Sequence, residues 1–340
     1  MPMMAMGCGR LGRIAVAAMM LCAVTENARA QSAASNEKAF PARSITLIVP
    51  FPAGGPSDAV ARAISQSMAM DLGQSIVVEN IGGAGGTIGL AKFIKSPPDG
   101  YTIAFGTVGT HVANVALYKK LPYDPIFDFD PIGPVGKAPV ILVARSTLPV
   151  ADLAEFVTYA RANLAKMTFG SAGIGSISHL SCVTLLSSLK LSVTHVPYRG
   201  VAPAMNDLIG GHTDFMCDQS TTSLPQIAGG AIKAIAVLSE QKLPQLPNVA
   251  TAASAGYSDI NIRSWNALFL PKGVPDEART RLAKALRFAL SDRNLREQMT
   301  AVGVDLPDPD KASAAEVTAL IEKGIKNDVP VLRARGESLD

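Results

Sequence analysis

Along the chain, short apolar runs rich in β-branched residues alternate with longer stretches whose apolar positions recur every three or four residues. The runs predict strands at 45–49, 75–79, 102–105, 140–144, 168–170, 194–196, 214–216, 232–238 and 268–270. Between them, "DLAEFVTYARANL" sets Leu153, Phe156, Val157, Ala160 and Leu164 on one helical stripe. "RTRLAKALRFALSDRNLREQM" does the same with Leu282, Leu286, Leu290 and Leu295. Strands alternating with amphipathic helices are the pattern of an α/β fold, parallel sheets with helices on their faces. Two intervals, Leu121 to Pro139 and Pro244 to Ile260, interrupt that rhythm. They predict two lobes joined twice, residues 40–140 with 265–340 as one and 141–264 as the other, with the single tryptophan, Trp265, in the returning segment. At 340 residues and 48% hydrophobic content the chain has material for two cores.

The N-terminus has the layout of a secretory signal: Arg10 and Arg13, an apolar stretch from Ile14 to Val24, and "ARAQ", with cleavage expected after Ala30. Eleven apolar residues are too few to span a bilayer. Removing residues 1–30 takes away three basic and one acidic side chain, so the +3 of the full chain becomes +1 (28 basic against 27 acidic). A near-neutral exported protein in the periplasm is expected. Cys8 and Cys22 leave with the signal, and Cys182 and Cys217, in apolar-periodic segments, are expected as buried free thiols, although export permits a disulfide.

Two glycine-rich corners stand out. In "ITLIVPFPAGGPSDAVARAI" a strand runs into a helix through Phe51, Ala53, Gly54 and Gly55. Pro56 suits the first helical position, and bare amides at a helix start attract anions. Ser57 and Asp58 could meet a ligand or cap their own helix. "FGSAGIGSISHL" repeats the chemistry: small residues Gly170 to Gly175 follow a strand, and Ser176 and Ser178 stand where a helix should begin. One corner per lobe would let two helix starts hold a carboxylate across a cleft, without a metal or a lysine.

Other chemistries find little support. "GGAGGTIG" has Gly83 and Gly85 at dinucleotide spacing but Ile88 where a third glycine belongs, and Gly173, Gly175 and Ser178 lack a ribose-binding acid about 20 residues on. No phosphate-loop lysine motif or G-x-S-x-G elbow is present. His111, His179, His195 and His212 have no metal-ligand spacing and are expected as packed or capping residues. No basic cluster suggests nucleic acid. The competing enzyme is an exported α/β hydrolase using Ser176 and His179, which would share one helix turn; a ligand sensor of the same fold is a third reading.

In order and spacing, "VPFPAGGPSD", "VVENIGGAGGTIG", "SPPDGYTIAFGT", "LPYDPIFDFDPIG", "FGSAGIGSISHL", "VPYRGVAPAMNDLIGGHTDFMCD" and "SWNALFLPKGVP" resemble the Bug family of extracytoplasmic solute receptors, which serve tripartite tricarboxylate transporters. The resemblance implies a type II periplasmic binding protein fold, two α/β lobes hinged by two crossing strands, with small organic acids gripped by two carboxylate-pincer loops. Carried over, the first pincer is Phe51 to Ser57 and the second Ser171 to Ser178, with Ser171, Gly173, Gly175 and Ser176 as its contacts. The third-strand loop is Thr107 to His111, with Thr107 as its contact, and Asp218 sits where the family often meets the far end of its ligand. Tyr198 is expected to be structural and Arg199 to face solvent, while Ile174 and Ile177 would make the pocket mouth apolar. The implied protein is a monomer and not an enzyme; it needs no cofactor or metal, and its partners are an organic acid and integral membrane transporter subunits.

Overall fold

The computed structural model describes residues 40–334 apart from 259 and 263, so the signal sequence and its cleavage site lie outside the described residues. Each of the nine apolar runs forms a strand, within a residue or two at most ends, and the strands assemble into two five-stranded sheets. In the first sheet, β1 (Ile45–Val49) pairs in parallel with β2 (Ile76–Asn80) and β3 (Thr102–Thr107). The late strand β10 (Asn266–Pro271) runs antiparallel between β3 and the edge strand β4 (Phe129–Gly136).

The second sheet repeats this plan. β6 (Thr168–Ser171) pairs in parallel with β7 (Thr194–Pro197) and β8 (Phe215–Gln219). β5 (Val140–Arg145) lies antiparallel between β8 and β9 (Ile232–Val237). In each sheet the antiparallel insertion is the first strand the chain makes on arriving from the other sheet. The chain crosses between Gly136 and Val140 and returns between Val237 and Asn266.

β4 lies inside the proline-rich interval that reads as a break. Pro131 and Pro134 cannot donate to a ladder on both sides, but an edge strand needs bonds on one side only. β4 pairs with β10 alone, with register shifts near both prolines, which is how a strand survives there. A second difference concerns the long C-terminal stripe. It is two helices, α8 (Asp276–Ser291) and α9 (Arg293–Ala301), because Asp292 turns extended and its carboxylate accepts the Asn294 amide at 2.9 Å as an N-cap.

Each sheet has its own core. Around the first, Phe93, Phe129 and Phe269 cluster with Trp265 and with Val317 and Ile321 of helix α10 (Ala314–Ala334). Around the second, Phe156, Leu153, Val157 and Ala160 of α4 (Leu153–Asn163) bury against Phe215 and Phe169, as the helical stripe requires. Cys182, on α5 (Ile177–Leu189), and Cys217, on β8, meet inside that core and form a disulfide, with Cα atoms 5.3 Å apart. The expectation of free thiols is therefore wrong. Sequence separation carried no information about a helix packing directly on a central strand.

Candidate functional site

The first corner is built by β1 running into α1 (Pro56–Leu72), with Pro56 at the first helical position as expected. Asp58 braces it: its carboxylate accepts the Gly54 amide, the Arg62 guanidinium and the Asn80 amide, each at 3.0 Å. Asn80 also donates to the Phe51 carbonyl at 3.0 Å, tying the loop to β2. Burial pushes the Asp58 carboxyl up, but the bonds from Arg62, Gly54 and Asn80 outweigh it and hold it below the ordinary range. Ser57, one residue earlier, points elsewhere. Its side chain is buried, makes no hydrogen bond within the described residues, and lines a cavity.

The second corner is knitted to its own hydroxyls. Ser178 Oγ accepts the Ala172 amide at 2.9 Å, and Ser171 Oγ accepts the Gly173 amide at 3.1 Å. Ser176 caps α5, accepting the His179 amide at 3.3 Å and donating to the Gly173 carbonyl at 2.6 Å. Gly173 has φ +111°, and a Cβ there would stand 3.0 Å from the Tyr198 carbonyl, so the turn requires glycine. Two imidazoles sit underneath. His195 Nε2 meets Ser171 Oγ at 2.7 Å, His179 Nδ1 accepts the Gly175 amide at 3.4 Å, and the rings lie 4.5 Å apart. Burial, then the neighbouring His195, lowers His179 to about 4, so the loop rests on neutral rings at ordinary pH.

Both corners face one partly open cavity of about 50 Å³. Phe51, Gly55 and Ser57 line it from the first corner, Gly175, Ser176, Ile177 and Ser178 from the second, and Thr107 and Gly109 from the third-strand loop. Ala53, Gly54, Ser171, Gly173 and Asp218 lie outside the lining. Ser171 is wholly buried beneath the loop, and the amides of Gly54 and Gly173 are already bonded within their corners. Asp218 is 1% exposed and faces the helix that follows, accepting hydrogen bonds from Thr222 and Ser223; burial raises it to about 6. Its neighbour Gln219 faces the cavity, because successive strand residues point to opposite sides.

Three more contributors went unread in the sequence: Gln219, Ser264 and Asn266. Gln219 donates to Ser264 Oγ at 2.7 Å. Asn266, at the start of β10, is 3% exposed and lines the cavity, and its carboxamide makes no hydrogen bond to protein within the described residues. Helix geometry adds donors. First-turn amides lack intrahelical acceptors, and Ser57, Ile177, Ser178 and Val201 of α6 (Val201–Ile209) occupy first turns that border the cavity. A fourth helix, α7 (Ser220–Ala228), starts directly after Gln219. Four positive helix ends and neutral hydroxyls surround a space bordered by no charged side chain among the described residues.

The remaining predicted residues resolve simply. His111 is fully buried, bonded to Thr110 at 2.9 Å and stacked 4.1 Å from Phe269. His212 is exposed rather than packed, and Arg199 is exposed as expected. Tyr198 packs against a separate apolar cluster that includes Val201, Met205 and Met216, and donates to Asp207 at 2.6 Å. Ile177 lines the cavity, whereas Ile174 points to solvent, 45% exposed.

A sequence profile for the tripartite tricarboxylate transporter family receptor matches residues 60–336. The chain belongs to that receptor family. Among solved structures, the periplasmic binding protein BugD is 37% identical and superposes with a TM-score of 0.85, covering 88% of this chain and 100% of its own. MatC from Rhodopseudomonas palustris, solved with bound malate, is 38% identical with a TM-score of 0.82 over 86% of this chain and 100% of its own. A second R. palustris protein, solved with adipate, is 31% identical with a TM-score of 0.83, over 87% and 98%. As a member of this receptor family, the chain is a periplasmic solute-binding protein of the two-sheet α/β type.

Proposed function

We propose that this receptor captures a small organic acid between its two sheets and presents it to membrane subunits of a tripartite tricarboxylate transporter. The supporting observation is the pairing of Ser57 and Asn266. Both are more than nine-tenths buried, both line the cavity between the glycine-rich corners, and neither has a protein partner among the described residues. With no protein partner, both polar groups are free to bond a molecule seated in the cavity they line.

A carboxylate fits this set. It accepts from both side chains and from the first-turn amides of α1 and α5, and the helix ends supply positive potential without a lysine or arginine. Charge-assisted hydrogen bonds contribute about 1.5–3 kcal/mol each. Four of them, less association and ordering terms, reach the roughly −8 kcal/mol of micromolar binding. The cavity of about 50 Å³ exceeds the roughly 10–15 Å³ needed to admit a first water, so it is open to a compact polar group. Bound malate and adipate in two relatives accord with this chemistry. In this reading residues 40–140 with 265–340 close as one body against 141–264, after export and removal of residues 1–30. The protein acts as a monomer without catalysis. Ser176 and His179 serve the corner itself, through the cap and the Gly175 amide, so His179 is not placed as a base for Ser176.

The test is a thermal-shift and calorimetric screen of the purified mature protein against mono- and dicarboxylic acids of three to six carbons. At a hundredfold excess over Kd, binding adds about 2.7 kcal/mol of stability. A panel in which no acid stabilises the fold, or in which ester substrates turn over, overturns the assignment.

A further inference from the structure

A second hollow, of about 640 Å³, lies against both crossings between the sheets. Lys137 to Pro139 and Asn261, Ile262, Ser264 and Trp265 contribute walls to it, as do the loop after β9 and one face of α10. Backbone bonds of 2.9 Å in both directions between Lys137 and Asp305 bolt the first crossing to the turn after α9. The hollow shares Val108 and Ser264 with the cleft cavity but is more than ten times larger, within the usual size range of small-molecule sites.

Its surface is divided by chemistry. Trp265, Leu243 and Leu306 form an apolar floor, each at most 6% exposed. Lys137, Lys242 and Lys323 stand on the rim, exposed, and none makes an ion pair or side-chain hydrogen bond among the described residues. Arg296 directs its guanidinium to the carbonyls of Leu290, Leu306 and Pro307. The lining carboxylates are Glu240, which accepts from Asn261 at 3.5 Å, Asp305 and Asp328. Among the described lining residues, four cations against three acids, with three ammonium groups unengaged, leave the rim open to an anion.

We propose that this hollow is a second binding site, for an amphipathic organic anion whose apolar body lies on Trp265 and Leu243 and whose acid group meets the rim lysines. Its ligand differs in kind from that of the cleft, which is small and lined by hydroxyls, amides and helix ends.

The test uses 4-phenylbutyrate and its neutral isostere 4-phenylbutanamide, titrated by calorimetry while following emission of the single tryptophan. The acid should bind saturably and change Trp265 emission. Lys137→Ala with Lys323→Ala should weaken the acid by about fivefold or more, the upper range for two exposed ion pairs, and leave the amide unchanged. Ser57→Ala, which alters only the cleft, should leave both probes unchanged. Absence of saturable binding at millimolar concentration, equal affinity for acid and amide, indifference to the lysine changes, or sensitivity to Ser57→Ala each overturns the proposal. None of these outcomes depends on which acid the cleft takes.

Discussion

Asn266→Ala isolates the cleft chemistry from the stability of the fold. The residue is 3% exposed and its carboxamide lines the cavity without bonding to any of the protein's described residues, so its deletion orphans no protein partner. Its loss should change unfolding free energy by less than about 1 kcal/mol, because the missing side-chain contacts are offset by removal of an unsatisfied polar group. If the carboxamide donates to a bound carboxylate, the same change removes one charge-assisted bond of about 1.5–3 kcal/mol, which weakens Kd by roughly 10- to 150-fold. Asn114 supplies the contrast. It is equally buried but donates to the Gly85 carbonyl at 3.1 Å and to Tyr123 Oη at 3.3 Å, so Asn114→Ala should destabilise the fold. The assay is calorimetry with the tightest-binding acid of the screen, beside urea denaturation of each apo variant. An Asn266→Ala protein that binds within about threefold of wild type, a margin below the weakest bond of this kind, would refute the assignment of that side chain. So would a loss of binding fully explained by lost stability.

Gly200 has φ +115°, and a Cβ there would stand 3.0 Å from the Pro52 Cγ of the opposite corner, so Gly200→Ala should oppose closure and weaken acid binding by about tenfold or more at a strain of 1–3 kcal/mol; unchanged Kd would contradict the contact. Reducing Cys182–Cys217, which closes a 35-residue separation, should lower stability by about 4 kcal/mol, read as a drop in urea midpoint with reductant that a Cys182→Ala, Cys217→Ala double variant no longer shows. For pH the signs oppose. His179 and His111, depressed to about 4 and about 3, leave the unfolded chain binding more protons, so each removes about 2 kcal/mol as pH falls from 7.5 to 5. Asp218, raised to about 6, binds its proton first in the folded state and returns about 1.4 kcal/mol over that range. Asp218→Asn should therefore steepen the acid loss by that amount, and parallel wild-type and variant curves would contradict the buried-acid assignment.

The strand runs and amphipathic stripes were legible because burial writes period two and period 3.6 into the chain. β4 was not, because its prolines are tolerated only by the edge position, which depends on β10 arriving from more than a hundred residues away. The corners were legible from glycine, proline and serine placed where strand meets helix. Which of their amides remain open was not, since the answer depends on Asp58, Ser178 and His179 folding back onto the loops. Strand alternation could have directed attention from Asp218 to Gln219. Ser264 and Asn266 carry no motif; only the return crossing brings them to the cleft.

The most direct measurement is a crystal structure of the mature protein with its tightest-binding acid. It should show a carboxylate within about 3 Å of Ser57 and of the Ile177 or Ser178 amide, with Asn266 donating to the same molecule. An acid seated outside the space between the two corners, or held there by a lysine or arginine, would contradict capture by neutral hydroxyls and helix ends.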